Sequence, residues 1–447
     1  MNIHDIRRFY YPREYRALIK LGVPIMIGQL GLTMQNLADN IMVGRHSTEE
    51  LAAAGFVNNL FLLALLLTIG YSIGSVSQIG SLYTQGRTRR IVSMLKAGFV
   101  ADSLQGLLVI VCLCGLYFSL PYLGQPSELL PMMKPYLVIQ IASLPFMVLM
   151  GAFRQMTDSI NDTVVAMSIM LVGNAWNIFF NWVLIFGNLG MPEMGIDGAA
   201  WATFSSRVLM LVIYVAVFCL LPRYRKYRQE WHEAPLSRHD VMLLNRLGWP
   251  IATQMGLETA SFSLVAILLG WIGTNALAAH QVMLQVANVV FMFYLGVSNA
   301  VSIRVSNYNG MSHIQGVRQA AFAGYQMVFG MGVVLSICAF VYSKDIARLF
   351  TDSEEVTAIV ASLALPLVLY QFGDGMQVTF ANALRGLGDV KKLMQYSFLA
   401  YIVISLPLSY LFGITMGQGA YGIWMGFPFG LTTAGVLYLR RFLTHRR

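Results

Sequence analysis

Charge is what this chain is short of. Only 11% of its 447 residues are Asp, Glu, Lys or Arg, against about a quarter in soluble globular domains. A surface meant for water on all sides is excluded. Cysteine is sparse too: Cys112, Cys114, Cys219 and Cys338 all stand in apolar runs, with no CxxC pair and no Cys/His cluster. That excludes a disulfide framework and a zinc site, and the four are expected to be small buried hydrophobes. No HExxH and no P-loop pattern occurs, which removes the strongest short signatures of metalloprotease and nucleotide chemistry.

Two weaker enzyme patterns fail on context. Residues 70–74, GYSIG, match the GxSxG nucleophile spacing, but that chemistry needs a strand-to-helix turn and this stretch lies within an apolar span. Gly386-Leu387-Gly388-Asp389 spells GxGD, as in intramembrane aspartyl proteases. Such an enzyme needs a second aspartate at the same depth to share a proton, and the YD partner of that pattern is missing. The expectation is a protein with no catalytic residues and no cofactor.

What the chain has is hydrocarbon. It is 57% hydrophobic, with mean hydropathy +0.62. Apolar stretches of 20 residues or more, each able to cross a ~30 Å hydrocarbon core, recur at about twelve places: 15–44, 52–78, 92–118, 131–154, 164–188, 197–221, 241–270, 277–304, 318–342, 355–385, 392–415 and 420–440. The N-terminal MNIHDIRRFYYPREYRALIK is too long and too charged for a cleaved signal peptide, so the first span is expected to remain as an anchor. With the N-terminus inside, the alternate loops and the two ends carry 25 Lys/Arg, the outer loops carry four, and Arg207 falls within a span. This positive-inside bias predicts that both termini are cytoplasmic. The net charge of +9 then serves orientation and attraction to lipid headgroups. The basic stretch LPRYRKYRQEWHEAPLSRHD joins two spans at that face, so a solvated linker along the membrane surface is expected and nucleic acid is not a partner.

The chain also repeats itself. Shifted by 226 residues, Leu21, Gly22, Pro24 and Ile25 fall on Leu247, Gly248, Pro250 and Ile251, and Gly70 and Ser72 fall on Gly296 and Ser298. Further along the offset drifts: Asp162 meets Asp389 at 227, and Gly195 and Gly198 meet Gly419 and Gly422 at 224. Two six-span halves follow, parallel because six is even, a plan used by transporters that handle substrate near the midplane. The fold class expected is therefore all-α and polytopic, with twelve transmembrane helices in two pseudo-symmetric bundles. The boundaries are 1–221 for the first bundle, 222–246 for a cytoplasmic linker and 247–447 for the second.

Ionisable groups at bilayer depth are functional candidates by default. Glu258 stands twelve residues past Arg246, about 18 Å in, and Asp374 stands eleven before Arg385, about 16 Å in. Tyr370 precedes Asp374 by one helical turn. The three form an oxygen-rich set suited to a small hard cation or a shared proton, and Pro366, Gly373 and Gly375 are expected to loosen the helix around it. Asp39 lies further out in the first half, where Asn177 and Asn181, one turn apart, present amides from one face. At the 226-residue offset Glu258 corresponds to Leu32 and Asp39 to Val265, so packing alone does not require either acid. Asp102 and Arg207 are expected to form a structural ion pair, and His280 to sit at the outer interface.

LGVPIMIGQLGLTMQNLADNIMVG in span 1, NIFFNWVLIFGNLGMPEMGIDGAA around span 5, GWPIATQMGLE in span 7 and YQFGDGMQVTFANALRGLGD in span 10 together resemble the multidrug and toxic compound extrusion (MATE) family, in its NorM-like branch. An acid that marks the DinF-like branch in span 5 is absent. The resemblance covers all twelve spans. It implies two six-helix bundles in a V around a central cavity, and exchange of sodium or protons for organic cations or other drugs. It implies that Glu258, Asp374 and Tyr370 form a cation-coupling sodium site in the C-terminal bundle. Asp39, Asn177 and Asn181 would form a second coupling or substrate site. The setting expected is the inner membrane and its lipid bilayer, and the protein is expected to be monomeric. The alternative is a flippase for a lipid-linked substrate, whose cavities are rich in Arg and Lys to meet pyrophosphate; here carboxylates dominate. The orientation is tested by reporter fusions: alkaline phosphatase placed after Gly190, between spans 5 and 6, is expected to be active, and placed after His232 inactive. The opposite pattern overturns the topology.

Overall fold

The structure is a computed structural model and describes residues 11–122, 126, 128–350 and 353–444. The first ten residues, part of the charged N-terminal segment, and the last three lie outside the described residues. In hydrocarbon a backbone must satisfy its own N–H and C=O groups, which leaves helices as the economical solution, and among the described residues there is no strand. The spans are α1 (Pro12–His46), α2 (Thr48–Thr84), α3 (Thr88–Tyr122), α4 (Leu130–Ser159), α5 (Thr163–Phe186), α6 (Gly195–Leu220), α7 (Arg238–Ile272), α8 (Thr274–Gly310), α9 (Ile314–Val341), α10, α11 (Lys391–Thr415) and α12 (Gly419–Thr444). Span α10 is a pair, Glu354–Ser362 and Ala364–Leu387, bent by 47°. Pro366 explains the bend: it has no N–H to give to the carbonyl one turn earlier.

Helix ends follow local chemistry. Ser47 accepts from the Glu50 amide and Ser353 from the Val356 amide, each satisfying an orphan donor of a first turn that also carries two glutamates. Gly388 ends α10 at φ 75, a left-handed conformation that glycine adopts without strain. GxGD is thus a helix cap, and its Asp389 pairs with Arg441 Nε at 2.6 Å.

Two compact units form, Ile27–Ala252 and Met1–Met26 with Thr253–Arg447. The expected halves, 1–221 and 247–447, therefore exchange the leading parts of their first helices. The changeovers in α1 and α7 come two residues after Pro24 and Pro250 and are themselves 226 residues apart.

The contacts within each unit repeat as well. A Cβ on Gly22 would lie 3.0 Å from the Gly296 carbonyl oxygen, and one on Gly248 would lie 2.7 Å from that of Tyr71. Gly22 and Gly248 are repeat partners, so α1 crosses α8 in one unit as α7 crosses α2 in the other. Gly198 likewise meets the Leu184 backbone at 2.7 Å, and its partner Gly422 meets that of Phe412 at 2.5 Å. These are the close backbone approaches that small residues permit in membranes.

The start of each exchanged helix is fastened by an acid. Arg304 donates to both oxygens of Glu14, the shortest contact being 2.8 Å, and Tyr308 donates to the same carboxylate at 2.5 Å. Arg90 grips Asp240 in two-pronged fashion at 3.0 and 3.1 Å, and Ser93 adds a third donor at 3.0 Å. The segment between α6 and α7 is packed rather than freely solvated. Lys96 donates to the Trp231 and Ala234 carbonyls at 2.5 and 2.9 Å, and Tyr224 donates to Asp162 at 2.8 Å. Burial, aided by the Asp162 carboxylate, pushes the Tyr224 phenol up.

Three expectations are corrected. All four cysteines are exposed on the helix surfaces, because the apolar runs that carry them turn one face to lipid. Gly373 and Gly375 do not unwind α10. They admit Leu431 and Thr432 of α12 and Val328 of α9 at contact distance. His280 is fully buried, ring against Trp424 at 5.6 Å, because α8 turns that face toward α12. The glycine crossings are tested by Gly248→Leu and Gly296→Leu, each expected to cost about 1–3 kcal/mol by overpacking, read as a lower Tm. A Cβ on Gly270 meets nothing within 4 Å, so Gly270→Leu should stay within about 0.5 kcal/mol.

Candidate functional site

The unit holding Thr253–Arg447 brings α7 and α10 together around the first candidate set. Asp374 and Tyr370 are buried, at 1% and 6% exposure, and Glu258 is half-buried. Glu258 and Asp374 lie within electrostatic reach of each other, and the Tyr370 phenol is within reach of both. Aromatic rings wall the tyrosine: Phe262, Trp424 and Phe427 stand 6.3, 6.1 and 6.0 Å from it, centroid to centroid. Glu258 Oε2 accepts from Gln254 Nε2 at 3.0 Å, and Gln377 also bonds this carboxylate.

The set is under-satisfied. Asp374 Oδ2, both amide atoms of Gln371, Gln377 Oε1, Ser261 Oγ and Tyr294 OH are buried with no hydrogen-bond partner. Buried polar atoms are rarely left so, and a group of oxygens among them is chemistry that fits a small cation with its waters. Among the described residues no cluster of three His, Cys, Asp or Glu exists that would hold a transition metal.

In the other unit α1, α5 and α6 assemble the second set. Asn181 Nδ2 donates to Asp39 Oδ1 and, at 3.1 Å, to Asn177 Oδ1. Asn177 Nδ2 passes the chain on to Thr203 at 3.2 Å. One turn of helix between the two asparagines lets a single line of amides end on the carboxylate. Asn174, the third in the run, is buried with both amide atoms unpartnered. Arg207 is within electrostatic reach of Asp39.

The expected ion pair between Asp102 and Arg207 is not formed. Asp102 takes a hydrogen bond from Ser72 at 3.0 Å, because α3 faces α2 at that level. Arg207 instead reaches α4, donating to Gln140 at 3.2 Å and to Ser143, with the Phe61 ring 5.3 Å from its guanidinium.

Gln254, Gln371, Gln377 and Thr203 carry no charge that marks them in the sequence, and Arg385 stands in it among the cytoplasmic Lys and Arg. Arg385 is in fact buried at 7% exposure. Helical spacing was the usable signal for the glutamines. Gln254 is four residues from Glu258, and Gln371 and Gln377 are each three from Asp374, so each lies on its acid's face.

The MatE family model matches twice, over residues 24–183 and 250–411, and the two matches begin one repeat apart. The multidrug resistance protein NorM of Vibrio parahaemolyticus is 30% identical over 433 residues, covering 96% of this chain and 94% of its own length. That of Aliivibrio fischeri is 28% identical, covering 98% and 96%. Among solved structures, a multidrug resistance MATE family transporter of the MOP superfamily in an outward-facing conformation superposes with a TM-score of 0.86 at 20% identity, covering 97% of each chain. A MOP superfamily transporter from Pyrococcus furiosus gives 0.86 at 19%, covering 96% and 95%. These two likenesses carry the fold alone, but the doubled family match and the near full-length relatives carry more: the chain belongs to the MATE family of membrane transporters, in its NorM-like branch.

Proposed function

We propose that this chain is a secondary active multidrug antiporter of the inner membrane, with both termini cytoplasmic, exporting cationic amphiphilic compounds in exchange for sodium or protons. The observation that carries the reading is the carboxylate pair Glu258 and Asp374, set in one bundle beside buried oxygens that lack partners. Two acids in a low-dielectric region repel each other and attract one monovalent cation. A sodium ion or proton taken up there removes the charge that a cationic drug needs for pairing, so the two ligands exclude one another. Asp39, tied to Asn181 and Asn177, is the coupling or substrate group of the other unit. Aromatic faces and methionines supply cation–π and adaptable apolar contact to varied organic cations.

The relatives named for multidrug resistance support the same substrate class. A lipid-linked pyrophosphate would ask for intramembrane cations free to meet it. The half-buried Arg207 and the buried Arg385 are both occupied by neutral side chains.

Efflux of a fluorescent organic cation from proteoliposomes, driven by an imposed sodium or proton gradient, tests the proposal. Loss of an outer partner of a bound cation costs about 10–100-fold, and Glu258→Gln and Asp374→Asn remove ligands, so gradient-driven efflux should fall at least that far in each. Unimpaired efflux in both variants sinks the assignment. Tight binding of a lipid pyrophosphate without organic-cation transport turns the reading to a flippase.

A further inference from the structure

The far end of α1 carries a histidine held between two acids. His46 Nδ1 stands 2.8 Å from Glu50 Oε2 of α2, and its Nε2 stands 2.8 Å from Glu193 Oε1, between α5 and α6. Local structure places both acids. Ser47 caps α2 by accepting from the Glu50 amide, and the backbone at Gly195 leaves no room for a Cβ beside the Glu50 carboxylate. The start of α6 is thus laid against Glu50. The segment bearing Glu193 turns at Gly187, whose φ of 68 suits glycine. It is closed by the Met194 amide on the Leu184 carbonyl at 2.9 Å.

Counting donors fixes the state of the ring. A neutral imidazole has one N–H and one acceptor nitrogen, and an ionised carboxylate only accepts. Two carboxylates on one ring therefore need both N–H groups, which only the imidazolium has. Among the described residues neither glutamate pairs with a lysine or arginine, Arg45 beside the ring included, so His46 is the cation they share. The other groups around it add no positive charge. From α5 comes the Phe186 ring, 6.3 Å away, and Asp197 of α6 is within electrostatic reach of Glu50. Helix packing does not call for the triad. His46 and Glu50 correspond to Ile272 and Ala276 in the second half, and Glu193 to Gly417 at the 224-residue offset.

We propose that His46 is a pH-sensitive latch, which in acid ties the end of α1 to the segment between α5 and α6 and in alkali lets it go. The latch joins the same two helices that meet at Asp39. Asp39 lies seven residues before His46, about 10 Å along α1, and accepts from Asn181 of α5. When the ring loses a proton, one nitrogen lone pair faces a carboxylate with no hydrogen between them. Glu193 is 65% exposed against 14% for Glu50, so Glu193 is the acid that turns away to water. The ends of α1 and α5 are then free to part beyond Asp39. On the proposed orientation this end faces outward, and external pH governs access to Asp39 from that side.

The test is a spin–spin distance in full-length protein in lipid nanodiscs, its four exposed cysteines exchanged for serine. Nitroxides are placed at Thr48→Cys and Leu189→Cys, both exposed positions. With His46 and Glu193 intact, one narrow distance is expected in acid. Roughly half or more of that population should be lost in alkali, the change falling between about pH 6 and 8, where imidazole titrates. His46→Phe keeps a ring against Phe186 but has no donor, and should give the broad distribution at every pH. Glu193→Gln should keep the narrow distance throughout, because an amide accepts from the protonated ring and donates to the neutral one. An unchanged distance across this range with both residues intact overturns the latch, as does a pH-dependent change that survives in His46→Phe. The distance does not depend on which face of the membrane is outside. A wrong orientation, read by the reporter fusions, is therefore told apart from a failed latch.

Discussion

Hydrocarbon offers no hydrogen-bond partners, and this one property of the solvent organises the molecule. It compels the backbone into helices, and it makes each buried polar side chain either find a partner in the protein or hold one in reserve. At the starts of α1 and α7, Glu14 and Asp240 are gripped by arginine on both oxygens, with Tyr308 or Ser93 adding another donor. Around Asp374 the accounting is left open, with Gln371, Ser261 and Tyr294 unpartnered nearby. Saturated polar groups fasten these helix starts, while the candidate site is built among groups left without partners.

The internal repeat acts on packing more strictly than on chemistry. Gly22 with Gly296 and Gly248 with Tyr71 are one helix crossing made twice, and the unit changeovers in α1 and α7 obey the same offset. Glu14 and Asp240 also stand 226 residues apart, yet their arginines do not correspond. Arg304 aligns with Gln78 and Arg90 with Gly316. The fold therefore requires an anchored first turn at these two places, and each half supplies the counter-charge from a different helix. A backbone approach of about 3 Å admits only glycine or a near equivalent, whereas a long guanidinium reaches its acid from several directions.

That contrast explains what the sequence made legible. Position along a helix is linear in residue number, so the spans and the repeat could be read directly. Facing depends on rotation about the helix axis and on which neighbour is adjacent, and one sequence does not contain that. Asp102 and Arg207 both lie within spans, but α3 aims one at Ser72 and α6 aims the other at Gln140 and Ser143. His280 is near a span end and still points inward to Trp424. Arg385 is followed shortly by Lys391 and Lys392, the pattern of a cytoplasmic charge, yet it is buried within reach of Glu258. Pattern located the acids. The glutamines that connect them needed coordinates.

The charges of the two units then differ in a way that bears on the ion. In one unit a single buried guanidinium, Arg385, lies within electrostatic reach of Glu258 and Asp374 has none, which leaves one negative charge uncompensated when both acids are ionised. In the other, Asp39 has Arg207 within reach, so its charge is already matched. A monovalent cation neutralises the first set, while a divalent one would leave it positive in a medium where net charge is costly. The second set gains nothing from a free cation unless Arg207 withdraws or a cationic substrate displaces its influence on Asp39. On the proposed reading, sodium or a proton therefore belongs first to the Glu258–Asp374 pair. On the same reading Asp39, held by its line of asparagines, is the group at which the organic cation and the chain's own arginine compete.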